Sequence, residues 1–438
     1  MKALLLTHGS RGDVQPFVAL ACGLTAAGHE VSLVGPRATA EVACSAGVPY
    51  LPITDGPLEL LNDPVIIEAN QAQGRGLRGQ VLAMRWFLRN RPRYVDVLAD
   101  LVKAVTAAGR PDVVVFQSWL PAHHLSESLG VPAVPVCLQP GWVPTPDFPN
   151  PLMPARVPRA WNTVSYTFAP MITRLLYGPA VERTRKDLRL PRRRGRHNVL
   201  LRPDRQPATV LQAFGRHVLP GTPRYPATAH TTGFWHLPGP ADWRMPPSLR
   251  AFLDDGPPPV YVGFGSLAGR DPGQTTRTVM AAIRKAGVRA VVATGWGGTT
   301  EQEGAGPGGA DDVFFVDQAP HDRLFPRMSS IVHHSGAGTT AAALLAGRPQ
   351  VVCPFAFDQP FWAQRMHACG VAPPPLPQLR LTVDGLAAAI RRSVSTPDLS
   401  RRAARFGEQT RAQDGVGNAV QVLEAEVARS GAAPRAAT

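Results

Sequence analysis

Residues 333–360 read HHSGAGTTAAALLAGRPQVVCPFAFDQP, and their order decides the fold. An apolar run, Ser330–His333, ends at a turn of small residues. Thr339 and Thr340 then open a run of alanine and leucine that reads as a helix over 336–346, and Gln350–Cys353 reads as a second strand. Strand, turn, helix and strand in this order form a parallel unit. Gly336 and Gly338 let a bulky group approach the backbone. The helix start offers unbonded N–H groups and a partial positive charge, the requirements of a diphosphate site, to which His334 and Thr339 add side-chain donors. Asp358 and Gln359 fall at the C-terminal end of the second strand, the edge on which open α/β sheets bind ligands. The pair supplies acceptors and an amide that suit several sugar hydroxyls.

The same alternation runs outward in both directions. Upstream in the second half, strands are predicted at Val260–Phe264, Arg289–Ala293 and Val313–Val316, with a helix over Gly273–Ala286. Helices follow at 382–393, 396–412 and 415–429. The first half repeats the scheme with strands at Lys2–Thr7, Glu30–Val34, Asp112–Phe116 and Ala133–Cys137, and helices at Val14–Ala27, Val81–Ala108 and Pro121–Leu129. Two similar α/β halves imply two Rossmann-like β/α/β domains facing a cleft. We divide the 438 residues into an N-terminal domain, 1–217, a Pro- and Gly-rich interdomain linker and start of the second domain, 218–258, a C-terminal domain, 259–412, and a C-terminal helix, 413–430, expected to pack back on the first domain. Residues 139–160 hold seven prolines and little periodicity, which marks a functional loop. Its Trp142 and Phe148 are the candidates for acceptor contact.

Composition narrows the function classes. Hydrophobic residues make up 44%, ordinary for a globular protein, and no run approaches the roughly 20 apolar residues of a membrane span. The apolar stretch Ala3–Leu6 is too short for a signal peptide, so the expected location is the cytoplasm. Cys22, Cys44, Cys137, Cys353 and Cys369 are scattered and odd in number, as in buried thiols of a reducing compartment; a zinc site is not expected. The net charge of +14 invites a nucleic-acid reading, but the excess is mostly arginine spread over the chain. One dense cluster, Arg183–Arg205, has no interleaved aromatics to stack on bases. It reads as a solvated loop, with contact to an anionic membrane or acidic partner as the alternative.

The segment 333–360 resembles the nucleotide-sugar signature of the UDP-glycosyltransferase superfamily. It is most similar to the branch of sterol glucosyltransferases and antibiotic (macrolide, glycopeptide) glycosyltransferases, where the helix start reads HHGGAGTT. Ser335 replaces the first glycine of that motif, and Ala342 stands where the plant branch has a ribose-binding glutamate. The resemblance implies the GT-B fold. It places His334 on the diphosphate, with Ser335, Gly336, Ala337, Gly338 and Thr339 wrapped around it, and Asp358 and Gln359 on the transferred sugar. YVGFGS (261–266) resembles the turn that brings Ser266 near the diphosphate. ATGWGG (293–298) resembles a turn that lays Trp296 against the nucleotide, and DQAPHDRLF (317–325) the loop whose backbone near Val316 and Gln318 reads the base. The opening THGSRGDVQPFVALACGL (7–24) is similar to the start of the same branch. There an aspartate replaces the histidine base of other members, which implies Asp13 as general base, with Ser10, Arg11 and Gly12 on the turn beside donor phosphates or sugar. Histidine-based members often hold their base with a carboxylate after the strand matching 112–116; this chain offers Phe116, Gln117 and Ser118 there.

These residues imply an inverting transfer of a hexose or deoxyhexose from a UDP- or dTDP-sugar to a hydroxyl of a lipophilic or natural-product acceptor. No metal and no cofactor beyond the nucleotide-sugar co-substrate is expected, and Asp311–Asp312 read as loop residues. Alternatives are a non-catalytic helper of the same fold and a sugar-nucleotide epimerase. Each candidate also has a plainer role: Asp13 as a cap for the helix expected at Val14, His334 as a strand-end cap, Asp358 as an N-cap and Trp296 as core. His333, His123 and His124 are expected to pack.

Overall fold

The computed structural model describes residues 1–60, 77–153, 157–265, 272–294 and 312–432. Two compact units emerge. The first is built on Met1–Leu60, Gln80–Leu237 and the stretch from Gln413, and the second on Pro238–Ala412.

The first unit is a seven-stranded sheet of order β3-β2-β1-β4-β5-β6-β7. Its strands are β1 (Lys2–Leu6), β2 (Glu30–Pro36), β3 (Tyr50–Ile53), β4 (Val113–Gln117), β5 (Ala133–Cys137), β6 (Val210–Gln212) and β7 (Ala229–Thr231). Every pairing is parallel. The central strands are buried along their length, as the continuous apolar runs require. β7 lies inside 218–258, so that stretch contributes to the sheet as well as connecting.

Helix α1 (Arg11–Ala26) begins three residues before the expected Val14. Ser10 is its N-cap, and the Asp13 side chain accepts the Ser10 N–H at 2.8 Å, the acidic half of a capping box. Helix α2 (Leu77–Ala108) and helix α3 (His123–Leu129) follow. Phe168–Asp187 forms a further helix, α4, which local periodicity did not reveal because Pro179 and a mixed face blur it. The C-terminal helix, Gly415–Ala432, packs on α1, and its Val416 fills the place a side chain at Gly23 would need.

The second unit is a five-stranded parallel sheet of order β10-β9-β8-β11-β12. Its strands are β8 (Val260–Gly263), β9 (Ala290–Ala293), β10 (Val313–Val316), β11 (Ser330–His333) and β12 (Gln350–Val352). Its helices include α5 (Pro272–Ala286), α6 (Ala337–Leu345), α7 (Gln359–Ala368), α8 (Val383–Ser395) and α9 (Pro397–Arg411). Val260, Val262, Ile283, Val292, Val332, Val351 and Ile390 form a core between α5, α8 and one sheet face.

Two expectations are corrected. The five cysteines are free, but Cys44 is exposed and Cys22 is only half-buried where it packs against the edge of the core. The arginine cluster is not simply a solvated loop. Arg185, 3% exposed, reaches Glu127 at 2.6 Å; Arg193 reaches the same carboxylate at 3.4 Å, and Arg196 reaches Glu182 at 2.6 Å. Among the described residues no helix is long and apolar enough to cross a membrane.

Candidate active site

Each sheet reverses its strand order once on either side of a central pair, between β1 and β4 in the first unit and between β8 and β11 in the second. Such switch points leave a crevice at the carboxyl ends of the strands, where open α/β sheets bind ligands. The candidate residues gather at both.

At the first switch point, Asp13 follows β1 and Gln117 ends β4. Asp13 is half-buried, and its carboxylate accepts three hydrogen bonds: from Ser10 N–H at 2.8 Å, Ser10 Oγ at 3.0 Å and Gln117 Nε2 at 2.8 Å. Gln117, 3% exposed, is itself oriented, because its Oε1 accepts the His8 N–H at 3.1 Å and lies 3.3 Å from the Thr7 hydroxyl. Burial raises the Asp13 pKa above the ordinary carboxylate value, while the hydrogen bonds from Ser10 and Gln117 oppose the rise. Gly9, at φ +137°, passes so close to this carboxylate that a Cβ would collide with Asp13 Oδ2. The sequence reading placed Gln117 where related members carry a carboxylate but gave it no role, and it did not single out Gly9. Arg11 and Gly12 lie exposed in the first turn of α1, beside Ser10.

At the second switch point, His334 leaves β11 and its ring lies between two glycines. A Cβ on Gly265 would stand 2.6 Å from it, and one on Gly336 2.5 Å. Burial lowers the His334 pKa to about 4, and its buried Nδ1 has no partner among the described residues. Gly336 is the N-cap of α6, whose backbone ladder starts with Thr340 N–H bonding to Gly336. The N–H groups of Ala337, Gly338 and Thr339 therefore lack intrahelical acceptors. Space is open around Gly338. Ser335 turns at φ +66° and donates its N–H to His333 Nδ1 at 3.1 Å; His333 Nε2 in turn reaches Gln350 Oε1 at 2.9 Å. His333 is thus a buried brace of the turn. The hydroxyls of Ser335 and Thr340 are buried without partners among the described residues.

Asp358 and Gln359 follow β12 at the start of α7. Part of their capacity is committed: Gln359 Oε1 accepts the N–H groups of Phe355 and Ala356 at 2.8 and 3.2 Å, and Asp358 Oδ2 accepts from Trp362 Nε1 at 2.9 Å. Val316 ends β10, with its carbonyl taken by the Thr294 N–H at 2.8 Å, and Gln318 is exposed just beyond. Trp142 and Phe148 are 1% and 6% exposed. Trp142 packs edge-on against Trp119 and Phe148 against Tyr166, so they anchor their loop and present no open ring. Ser266, Trp296 and Asp311 lie outside the described residues.

Residues 3–101 match the glycosyltransferase family 28 N-terminal domain, and residues 300–425 match the C-terminal domain of erythromycin biosynthesis protein CIII-like proteins. The chain is 34% identical to O-mycaminosyltylonolide 6-deoxyallosyltransferase of Streptomyces fradiae, over 97% of each chain. It is 29% identical to a sterol 3-beta-glucosyltransferase of Arabidopsis thaliana, over 97% of this chain and 65% of that protein. Among solved structures it is similar to the glycosyltransferase VinC in complex with dTDP, with a TM-score of 0.66, 19% identity, and coverage of 98% of this chain and 100% of that one.

Proposed function

The chain belongs to the GT-B glycosyltransferase family that includes the macrolide and sterol glycosyltransferases, and from that premise we propose that it moves a hexosyl or deoxyhexosyl group from a UDP- or dTDP-sugar to a hydroxyl of a lipophilic natural-product or sterol acceptor, with inversion and with Asp13 as the general base. The proposed site of action is the cytoplasm. The acceptor binds the first domain and the donor the second. The acceptor oxygen attacks the anomeric carbon while its proton passes to the Asp13 carboxylate. The bond to the diphosphate breaks on the opposite face, and the electron pair leaves on the phosphate oxygen. His334 and the N–H groups of Ala337, Gly338 and Thr339 meet that charge.

The observation that carries this reading is the state of Asp13. A carboxylate at its ordinary pKa of about 3.9 is a weak base for an alcohol. Burial makes this one more basic, while three donors hold it in one orientation at the switch point. The kinship with a 6-deoxyallosyltransferase, a sterol glucosyltransferase and a dTDP-binding structure supports both the donor and the acceptor class.

The reading is tested without knowledge of the acceptor. Wild type and His334→Ala are titrated with UDP, dTDP, GDP and NAD by calorimetry in EDTA. UDP or dTDP binds, and the variant binds it more weakly. Failure of every nucleotide to bind wild type would refute the reading.

A further inference from the structure

Phe357 immediately precedes Asp358 and occupies the left-handed region at φ +56°. Side chains other than glycine adopt that conformation at a cost, and one with a bulky ring does so rarely. The surrounding bonds impose it. Gln359 Oε1 clamps the N–H groups of Phe355 and Ala356, and Asp358 fixes the start of α7 through Phe361 N–H at 3.0 Å and Trp362 Nε1 at 2.9 Å. Phe355 and Ala356 are buried, but the Phe357 side chain is 53% exposed and stacks on no described aromatic ring. A turn bonded to the same segment, through Gln378 Nε2 to the Cys353 carbonyl at 3.0 Å, carries Leu379, 43% exposed. A strained phenyl ring left 53% exposed one residue before Asp358 is not part of the buried core, and strain of this kind accompanies ligand clamps.

We infer that Phe357 is a specificity-determining residue for the transferred sugar and selects a 6-deoxyhexosyl over a hexosyl donor. The inference rests on the donor-site reading above. Asp358 and Gln359 carry the chemistry for ring hydroxyls. The exocyclic carbon is the sugar substituent outside those hydroxyls, and the Phe357 ring is an exposed apolar surface one residue from the pair. A methyl group at C6 gains from covering the ring. A hydroxymethyl there loses water from its hydroxyl without a replacement hydrogen bond.

The probes are dTDP, dTDP-glucose and dTDP-6-deoxyglucose, the two sugars differing only in the C6 hydroxyl. Each is titrated into the full chain as wild type, Phe357→Gly and Phe357→Asn; glycine and asparagine both tolerate the left-handed backbone. Wild type prefers the 6-deoxy donor by roughly tenfold, the scale of one apolar group gained or one hydroxyl mispaired. Phe357→Gly loses the preference, Phe357→Asn shifts it toward dTDP-glucose, and neither variant has a lower Tm or an altered dTDP affinity. If wild type binds dTDP but shows no preference, or if all three proteins share one preference, the role of Phe357 is overturned alone. If wild type fails to bind dTDP, the donor-site reading falls and this inference falls with it.

Discussion

Replacing Gln117 with methionine keeps the volume of a buried side chain but removes one of the three donors that hold Asp13. The lost bond is a 2.8 Å contact from a neutral amide to a carboxylate. Hydrogen bonds to charged groups contribute about 1.5–3 kcal/mol, which corresponds to roughly a 10- to 150-fold fall in kcat/KM if the bond is intact in the transition state. The pH profile should move as well. Burial already raises the Asp13 pKa, and Gln117 is one of the groups opposing that rise. Without it the carboxylate needs a higher pH to ionise, so the acidic limb of kcat/KM shifts upward. The assay is initial-rate kinetics across pH with one donor and a panel of lipophilic alcohols, after a thermal melt has shown the variant folded. A folded variant with unchanged kcat/KM and an unmoved limb would refute the view that Gln117 positions the base.

Further outcomes follow from other contacts. Gly336→Ala should weaken nucleotide binding by tenfold or more, on the order of what a misplaced binding group costs, because its Cβ would stand 2.5 Å from His334 Nε2. Gly338→Ala meets open space, so it should leave stability in urea unfolding unchanged or raise it by up to about 1 kcal/mol; reduced nucleotide affinity in the same variant would mark a phosphate at that position. Nucleotide binding should take up protons, because burial holds His334 at about 4 in the free protein and a nearby diphosphate favours the imidazolium; affinity then increases as pH falls, and calorimetry in buffers of different ionisation enthalpy reads the uptake. Glu127→Gln should cost about 3–5 kcal/mol in urea unfolding at neutral pH, since it leaves the buried Arg185 without its carboxylate. Burial alone would raise the Glu127 pKa, but the bonds from Arg185 and the charges of Arg193 and Arg185 hold it well below the carboxylate range. Its contribution is therefore complete above the unfolded value of about 4.3 and shrinks as pH falls below it, narrowing the gap between wild type and variant.

The parallel strands were legible because buried central strands demand continuous apolar runs, as in Val113–Phe116 and Val260–Val262. β3, β6 and β7 were not. They are three or four residues long and become strands only by pairing with a neighbour, a non-local event with no local pattern. The start of α1 was misplaced because the apolar period begins at Val14, whereas Ser10 and Asp13 set the true boundary. His334, Gly336 and the free N–H groups of α6 were legible from local chemistry, since a strand, a small-residue turn and a helix start lie within one short stretch. The brace on Asp13 was not, because Gln117 is 104 residues away and reaches it only through the β1–β4 pairing. The commitments of Gln359 to its own backbone, and the burial of Trp142 against Trp119, likewise depend on packing that residue type does not disclose.

The central claim is glycosyl transfer with Asp13 as the base. The most direct test incubates wild type and Asp13→Asn with the bound nucleotide's sugar and an accepted alcohol, measures turnover and reads the anomeric configuration of the product by NMR. The account predicts inversion in wild type. It also predicts a fall of about 100-fold or more in Asp13→Asn turnover with nucleotide affinity unchanged, the scale of a lost general base. Retention of configuration, or undiminished turnover by the variant, would contradict it.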